Sequence, residues 1–297
     1  MKATVVALHN NGYRSKLPVV IMPIRRSLFR QSTVVTALSR GHGRYIERKY
    51  GVPGSKVWIV PNGVDLSRFD DHAAGGPSVS FADRGKKKVV AIIAFLRPEK
   101  AYDVFLQMAS SILRQRKDVE FWIVGDGPER GAIEKRIGEM GIGGAVRLLG
   151  YRQDIPSVLR ACDIVTVTSD AEDVPIVILE AMAAGRPVAA TDVGFIREIV
   201  SNGQTGFIVP PRDPERLAET VSYLLSREDF MAKMGSAGRK KVEKWLSIRN
   251  TFGGPRDAFS QPCRLTSGIH RLFFLSSYYR LPGSPPFRRS EEVSTPG

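Results

Sequence analysis

A carboxylate set among apolar residues is the most informative feature of this 297-residue chain. Glu180 stands within Val174–Ala184 (VPIVILEAMAA), a run apolar on every side that reads as a buried helix. A carboxylate there must be paired, or must line a cavity where a ligand donates hydrogen bonds to it, and ribose hydroxyls are suitable donors. A structural carboxylate satisfied by neighbouring backbone is the simpler alternative. Glu172 lies in the turn Ser169–Pro175 that precedes this helix and follows the strand Ile164–Thr168. A second turn, Arg97-Pro98-Glu99-Lys100, follows the strand Val89–Ala94 and leads into another helix. Two cations at a strand-to-helix turn can clamp a diphosphate and neutralise the charge that develops as it leaves. Taken alone, those residues describe an exposed basic loop equally well. A third turn, Gly125-Asp126-Gly127-Pro128, has the glycine spacing G-x-G-x-x-x-G, ending at Gly131. The last glycine is misplaced for a dinucleotide fingerprint, and no acidic residue ends the next strand. A tight turn with Pro128 opening a helix accounts for it.

The elements that position these turns alternate regularly. Thr4–Leu8, Thr33–Ala37 and Lys56–Val60 read as strands, with a helix capped by Ser39 running to Tyr50. Residues 71–86 lack periodicity and read as a loop. Beyond it come strands Val89–Ala94, Glu120–Val124, Val146–Leu149, Ile164–Thr168 and Pro187–Ala190. The intervening helices are Tyr102–Arg116, Pro128–Met140, Ile155–Ala161 and Val174–Ala184. Asp213-Pro214-Glu215 opens a further helix with Asp as N-cap and Pro at the first position, and a last helix runs from about Phe230 to Trp245. Apolar strands alternating with helices predict a parallel sheet covered on both faces, with ligands beyond the carboxyl ends of the strands. The domain division expected is 1–63, 64–247 and an irregular or disordered tail over 248–297, rich in Ser, Pro, Gly and Arg.

Composition narrows the class. Hydrophobic content of 42% and charged content of 25% suit a soluble globular protein, and no apolar run is long enough to span a bilayer. The stretch Ala3–Leu8 is too short for a secretory signal, and two cysteines cannot make a disulfide framework, so a cytoplasmic location is expected. The formal net charge of +14 attracts phosphate groups in general. Dispersed solvated charge explains most of it, with a membrane-facing or acidic-acceptor-facing patch on residues 14–49 as the second reading. No aromatic-interleaved basic module is present, and a nucleic-acid partner is not expected.

The segment from Glu172 to Glu180, followed by AMAAGRPVAATDVGFIREIV, resembles the E-x7-E region of the retaining glycosyltransferases of family four. VPNGVDLSRF (Val60–Phe69) resembles that family's interdomain hallmark, and FLRPEKAYDVF, WIVGDGPERGAIE, VRLLGYRQDIPSVLRACDIVTVTS and NGQTGFIVPPRDPERLAE follow in family order. The resemblance covers roughly residues 1–247. It implies a GT-B fold: one complete Rossmann-like nucleotide-binding domain and an N-terminal Rossmann-like domain that begins in its middle. It implies retaining transfer from a nucleoside-diphosphate sugar to a glycan, lipid or small-molecule acceptor, with no cofactor and no required metal. Contact with the inner face of the membrane is a second expectation.

In this resemblance Glu180 binds the donor ribose and Glu172 faces the transferred sugar. Backbone N–H groups around Asp173, Val174, Pro175 and Ile176 join Arg97 and Lys100 on the diphosphate, and Tyr151 and Arg152 lie by the base, with Gly125 counted among the donor-binding positions. His9, at the end of the first strand, matches a histidine that points at the donor sugar. Three departures stand out: Phe95 where many members have arginine, Asp173 where they have glycine, and an N-terminal domain without its first strands. The alternatives are a non-catalytic nucleotide-sugar-binding fragment, or an epimerase or hydrolase on the same fold.

Overall fold

Strand Val89–Ala94 alternates its contacts between two apolar layers, as a sheet covered on both faces requires. In the computed structural model, which describes residues 5–7, 21–70 and 87–245, that strand is β4 (Lys88–Ile93). Val90 and Ile92 pack into one core cluster, while Val89, Ala91 and Ile93 pack into the other. The first cluster lies under α3 (Tyr102–Gln115), α4 (Arg130–Glu139) and α8 (Pro214–Leu225). The second lies under α5 (Ile155–Ala161), α6 (Ile176–Ala183) and α9 (Glu228–Trp245).

The remaining strands of this sheet are β5 (Val119–Val124), β6 (Val146–Gly150), β7 (Ile164–Val167), β8 (Val188–Thr191) and β9 (Gly206–Val209). Their order is β6-β5-β4-β7-β8-β9, and every pairing is parallel. The chain winds outward from β4 to β6, then returns to place β7 on the other side of β4. Connections leave in opposite directions at the carboxyl ends of β4 and β7, and that switch point opens a crevice. Its rims are residues 94–100 and 168–175.

A smaller parallel sheet comprises β1 (Val5–Ala7), β2 (Val34–Ala37) and β3 (Val57–Ile59). It is crossed by α1 (Ile21–Gln31) and α2 (Arg40–Tyr50). The Ser39 side chain caps α2 by accepting from the His42 N–H, and Gly51 ends it with φ +65°. All the described residues belong to one compact unit, Met1–Phe259.

Three details differ from the sequence reading. Helix α6 begins two residues later than Val174, because Pro175 stands at its N-cap in extended conformation and disfavours helix in the residue before it. Helix α4 begins at Arg130, with Pro128 in the preceding turn. The sequence reading also passes over β9 and the single-turn helix α7 (Ile196–Ile199), both too short to display a period. The loop 71–86 and the tail 248–297 lie outside the described residues.

Candidate functional site

The two rims of the crevice are stitched together by backbone-directed bonds. Thr168 Oγ1 donates to the Lys100 carbonyl at 2.7 Å, and the Asp170 N–H donates to the Glu99 carbonyl at 2.8 Å. The 3-10 turn Pro98–Lys100 ends at Ala101, whose φ of +49° is rare for a residue with a side chain. That turn delivers the Lys100 ammonium to Glu172, with which it forms an ion pair. Ser169 Oγ donates to the same Glu172 oxygen at 2.8 Å. Both partners are mostly shielded, with side chains 20% and 12% exposed, so water screens the pair less than a surface bridge.

Arg212 fixes the other side of this loop. Its Nε donates to Asp170 Oδ1 at 2.5 Å, its Nη2 pairs with Asp170 Oδ2, and its Nη1 reaches Asp103 at 2.8 Å. Arg212 does so from a left-handed backbone conformation, φ +59°. A bidentate guanidinium on Asp170 leaves Glu172 as the carboxylate of this turn that faces Lys100.

The segment after Glu172 is pinned from both sides. Asn62, in the Pro-Asn-Gly turn after β3, donates its side-chain amide to the Val174 carbonyl at 2.9 Å. Phe195 donates its N–H to the Asp173 carbonyl at 3.1 Å. Helix α6 then starts with no side-chain cap; the Ile178 N–H donates to the Pro175 carbonyl at 3.2 Å, and a helix start of this kind can offer its remaining first-turn N–H groups to an anion.

Glu180 sits on the second turn of α6, about 6 Å along the axis from Ile176. It is half-buried rather than fully enclosed. Among the described residues its carboxylate makes no hydrogen bond or ion pair. Burial pushes its pKa up, and the nearby charge of Arg68 opposes that shift.

The other expected residues are more scattered. Arg97 is exposed; its guanidinium lies 4.8 Å from the Phe95 ring centroid and 3.9 Å from Glu99. The structure therefore places it at the rim and does not join it to the Lys100–Glu172 pair. Gly125 is required by close approach: a Cβ there would stand 1.9 Å from the Ala94 carbonyl oxygen, and its N–H donates to Gly150 at 2.8 Å. This packs the β5 turn against the site loop and agrees with the turn reading of these glycines. Tyr151 is exposed after β6, and Arg152 is held bidentate by Asp154 at 2.8 and 2.6 Å. His9 lies outside the described residues. Ser169, Arg212 and Asn62 escaped the sequence reading. Asn62 lay inside the quoted VPNGVDLSRF motif and could have been singled out there. The partners of Ser169 and Arg212 are distant in sequence, so no local spacing announces them.

Paired parallel sheets, with a cation and a carboxylate at the switch point of the larger one, define a GT-B type α/β protein. The model of "Glycosyl transferases group 1" matches residues 79–241, more than half of the chain. That of "Glycosyltransferase Family 4" matches residues 2–68. The chain belongs to the glycosyl transferases of group 1. It is 28% identical over 244 residues to the alpha-D-kanosaminyltransferase of Streptomyces kanamyceticus, covering 77% of this chain and 63% of that protein. It is 30% identical over 236 residues to a GDP-mannose-dependent alpha-(1-6)-phosphatidylinositol monomannoside mannosyltransferase of Mycobacterium tuberculosis, covering 75% and 61%. The chain thus spans less than two thirds of the length of these curated relatives. Among solved structures, Anabaena HepE in complex with UDP and glucose superposes with a TM-score of 0.75 at 22% identity, covering 84% of this chain and 69% of that one. Among the described residues, no helix is long and apolar enough to cross a membrane.

Proposed function

We propose that this chain transfers a glycosyl group, with retention, from a nucleoside-diphosphate sugar to a glycan, lipid or small-molecule acceptor. The observation that carries the reading is the Lys100–Glu172 pair at the β4/β7 switch point, directly before the uncapped start of α6. Cleaving the bond between the anomeric carbon and the diphosphate leaves positive charge on the sugar and negative charge on the leaving group. An ammonium and helix N–H groups, fixed in place beforehand, act most strongly on the charge that develops in the transition state. In this reading Lys100 and the N–H groups of Asp173, Val174 and Ile176, on either side of Pro175, hold the diphosphate, with Arg97 at the rim. Glu172 faces the transferred sugar and Glu180 accepts from the ribose hydroxyls. Gly125, Tyr151 and Arg152 belong to the base side, and His9 to the donor-sugar side. These cations and amides take the role that a metal plays elsewhere, so the reaction needs no metal or cofactor.

The same reading places the chain in the cytoplasm, with peripheral membrane contact. Ile24 and Leu28, one turn apart on α1, are 58% and 61% exposed, an apolar pair that suits insertion into a lipid surface, to which the net charge of +14 adds attraction for anionic lipid. Binding to anionic vesicles that vanishes in Ile24→Ser, Leu28→Ser would support that contact, and unchanged binding would refute it.

The transfer reading is tested with a panel of nucleoside-diphosphate sugars, scored for release of nucleoside diphosphate with and without acceptor. Release that requires acceptor, resists chelator and gives a product of unchanged anomeric configuration supports the proposal. Release without acceptor points to a hydrolase, and binding without turnover to a non-catalytic nucleotide-sugar-binding fragment.

A further inference from the structure

Helix α2 carries Arg40, Arg44 and Arg48 at four-residue spacing, which puts the three side chains on one face. All three are exposed, and among the described residues none of the three guanidinium groups pairs with a carboxylate. Like charges at this spacing destabilise an isolated helix. The acid of this helix, Glu47, lies on another side, close to Gly54.

Arg44, Arg48 and Lys49 border a concavity of about 640 Å³ whose far wall is Phe195 and Glu198. Small-molecule sites run from about 300 to 1,000 Å³. Its shape depends on Gly41: a Cβ there would stand 2.4 Å from Glu198 Oε1 and 2.7 Å from the Phe195 ring. Phe195 is itself fixed, stacked on His42 with centroids 5.4 Å apart and planes 14° apart. Glu198 is the one carboxylate of the lining, and both its oxygens are engaged. They accept from Ser39 Oγ at 3.0 Å and from the N–H groups of Arg40 and Gly41 at 3.1 and 2.8 Å. Its charge is thus spent on the start of α2 and not on Arg44 or Arg48.

We propose that this concavity binds the phosphomonoester group of an anionic acceptor, with Arg44 and Arg48 as its phosphate ligands and Phe195 against the adjoining ring or chain. A phosphate dianion offers enough acceptor oxygens to satisfy two guanidinium forks one turn apart, whereas a single carboxylate matches one. The wall also communicates with the crevice, since the Phe195 N–H is bonded to the Asp173 carbonyl. The word acceptor rests on the transfer reading above; the anion site does not.

The test titrates the full chain with two phosphomonoester probes and, separately, with UDP and GDP. The probes are glucose 6-phosphate in solution, and phosphatidylcholine vesicles with and without phosphatidic acid. Binding of either probe that falls about tenfold or more in Arg44→Gln, Arg48→Gln supports the site, and the responding probe identifies a soluble or a lipid-borne phosphate. The variant is expected to keep its nucleoside-diphosphate affinity, which certifies its fold together with an unchanged thermal midpoint. Absent binding of both probes, or equal binding by the variant, overturns the site. Failure of UDP and GDP to bind counts against the nucleotide-sugar reading alone, because the phosphomonoester titrations contain no nucleotide.

Discussion

A Cβ placed on Gly194 would stand 1.7 Å from the Glu172 carbonyl oxygen, and the Gly194 backbone has φ +57°. The loop between β8 and α7 therefore rests directly on the residue that pairs with Lys100, and only glycine permits that distance. Gly194→Ala is expected to destabilise the chain by about 2–4 kcal/mol, from backbone strain and overpacking together. Nucleoside-diphosphate binding should fall with it. A denaturation midpoint equal to that of the parent would show that the loop moves away at no cost.

Lys100→Ala removes the ammonium and leaves the Glu172 carboxylate with Ser169 as its remaining bonded partner among those described. Any transfer should drop about 10²- to 10³-fold, the usual effect of losing one transition-state donor, and diphosphate affinity should fall as well. The salt sensitivity of nucleotide binding should weaken in parallel. Undiminished transfer by a folded Lys100→Ala protein would remove this residue from the site.

Glu180 links ligand binding to stability. Its pKa is raised by burial above the ordinary 4.5, so the folded chain holds that proton more tightly than the unfolded one. The group therefore favours the fold below the ordinary carboxyl pKa, and this contribution is lost as pH rises through the folded value. Glu180→Gln should consequently stabilise the ligand-free protein near neutrality, with the gain vanishing in acid. Nucleotide affinity should fall at the same time through loss of ribose contacts. Denaturant midpoints across that pH range, alongside UDP and GDP titrations, measure both; a variant with parental nucleotide affinity would exclude the ribose role.

Arg212 clamps Asp170 from a left-handed backbone. Arg212→Ala keeps the strained conformation and loses the clamp, whereas Arg212→Gly loses the clamp and relieves the strain. The glycine variant should be the more stable of the two by roughly 1 kcal/mol. Both should lower turnover more than donor affinity, since the clamp positions the loop that carries Glu172. Equal stability of the two variants would show that this backbone stores no strain.

Glu198 receives three hydrogen bonds at the start of α2 although it belongs to the segment after β8. Glu198→Ala leaves those donors to water and should cost about 1–3 kcal/mol. Helix α2 should then become easier to cut with trypsin at Arg40, Arg44 and Arg48. Parental resistance to trypsin would show that the smaller sheet is held by other contacts.

The sequence by itself determined the alternation of strands and helices, because period-2 and period-3.6 apolar patterns are local properties of the chain. Helix Ile155–Ala161 has the bounds its pattern predicts, and the caps Ser39 and Asp213 stand where their residue types place them. Local chemistry also marked Glu172, Glu180 and Lys100 as worth watching, since charge at strand ends or in an apolar helix demands a partner. Only the tertiary structure decided which partners they have. Strand order put β7 beside β4 and so brought Lys100 to Glu172 across 72 residues of chain. It left Arg97 on the rim against Phe95, and it recruited Arg212, Asn62 and Gly194 to the loop that carries Glu172. Those contacts follow from sheet topology and loop packing, and a linear pattern holds no record of which strand lies beside which.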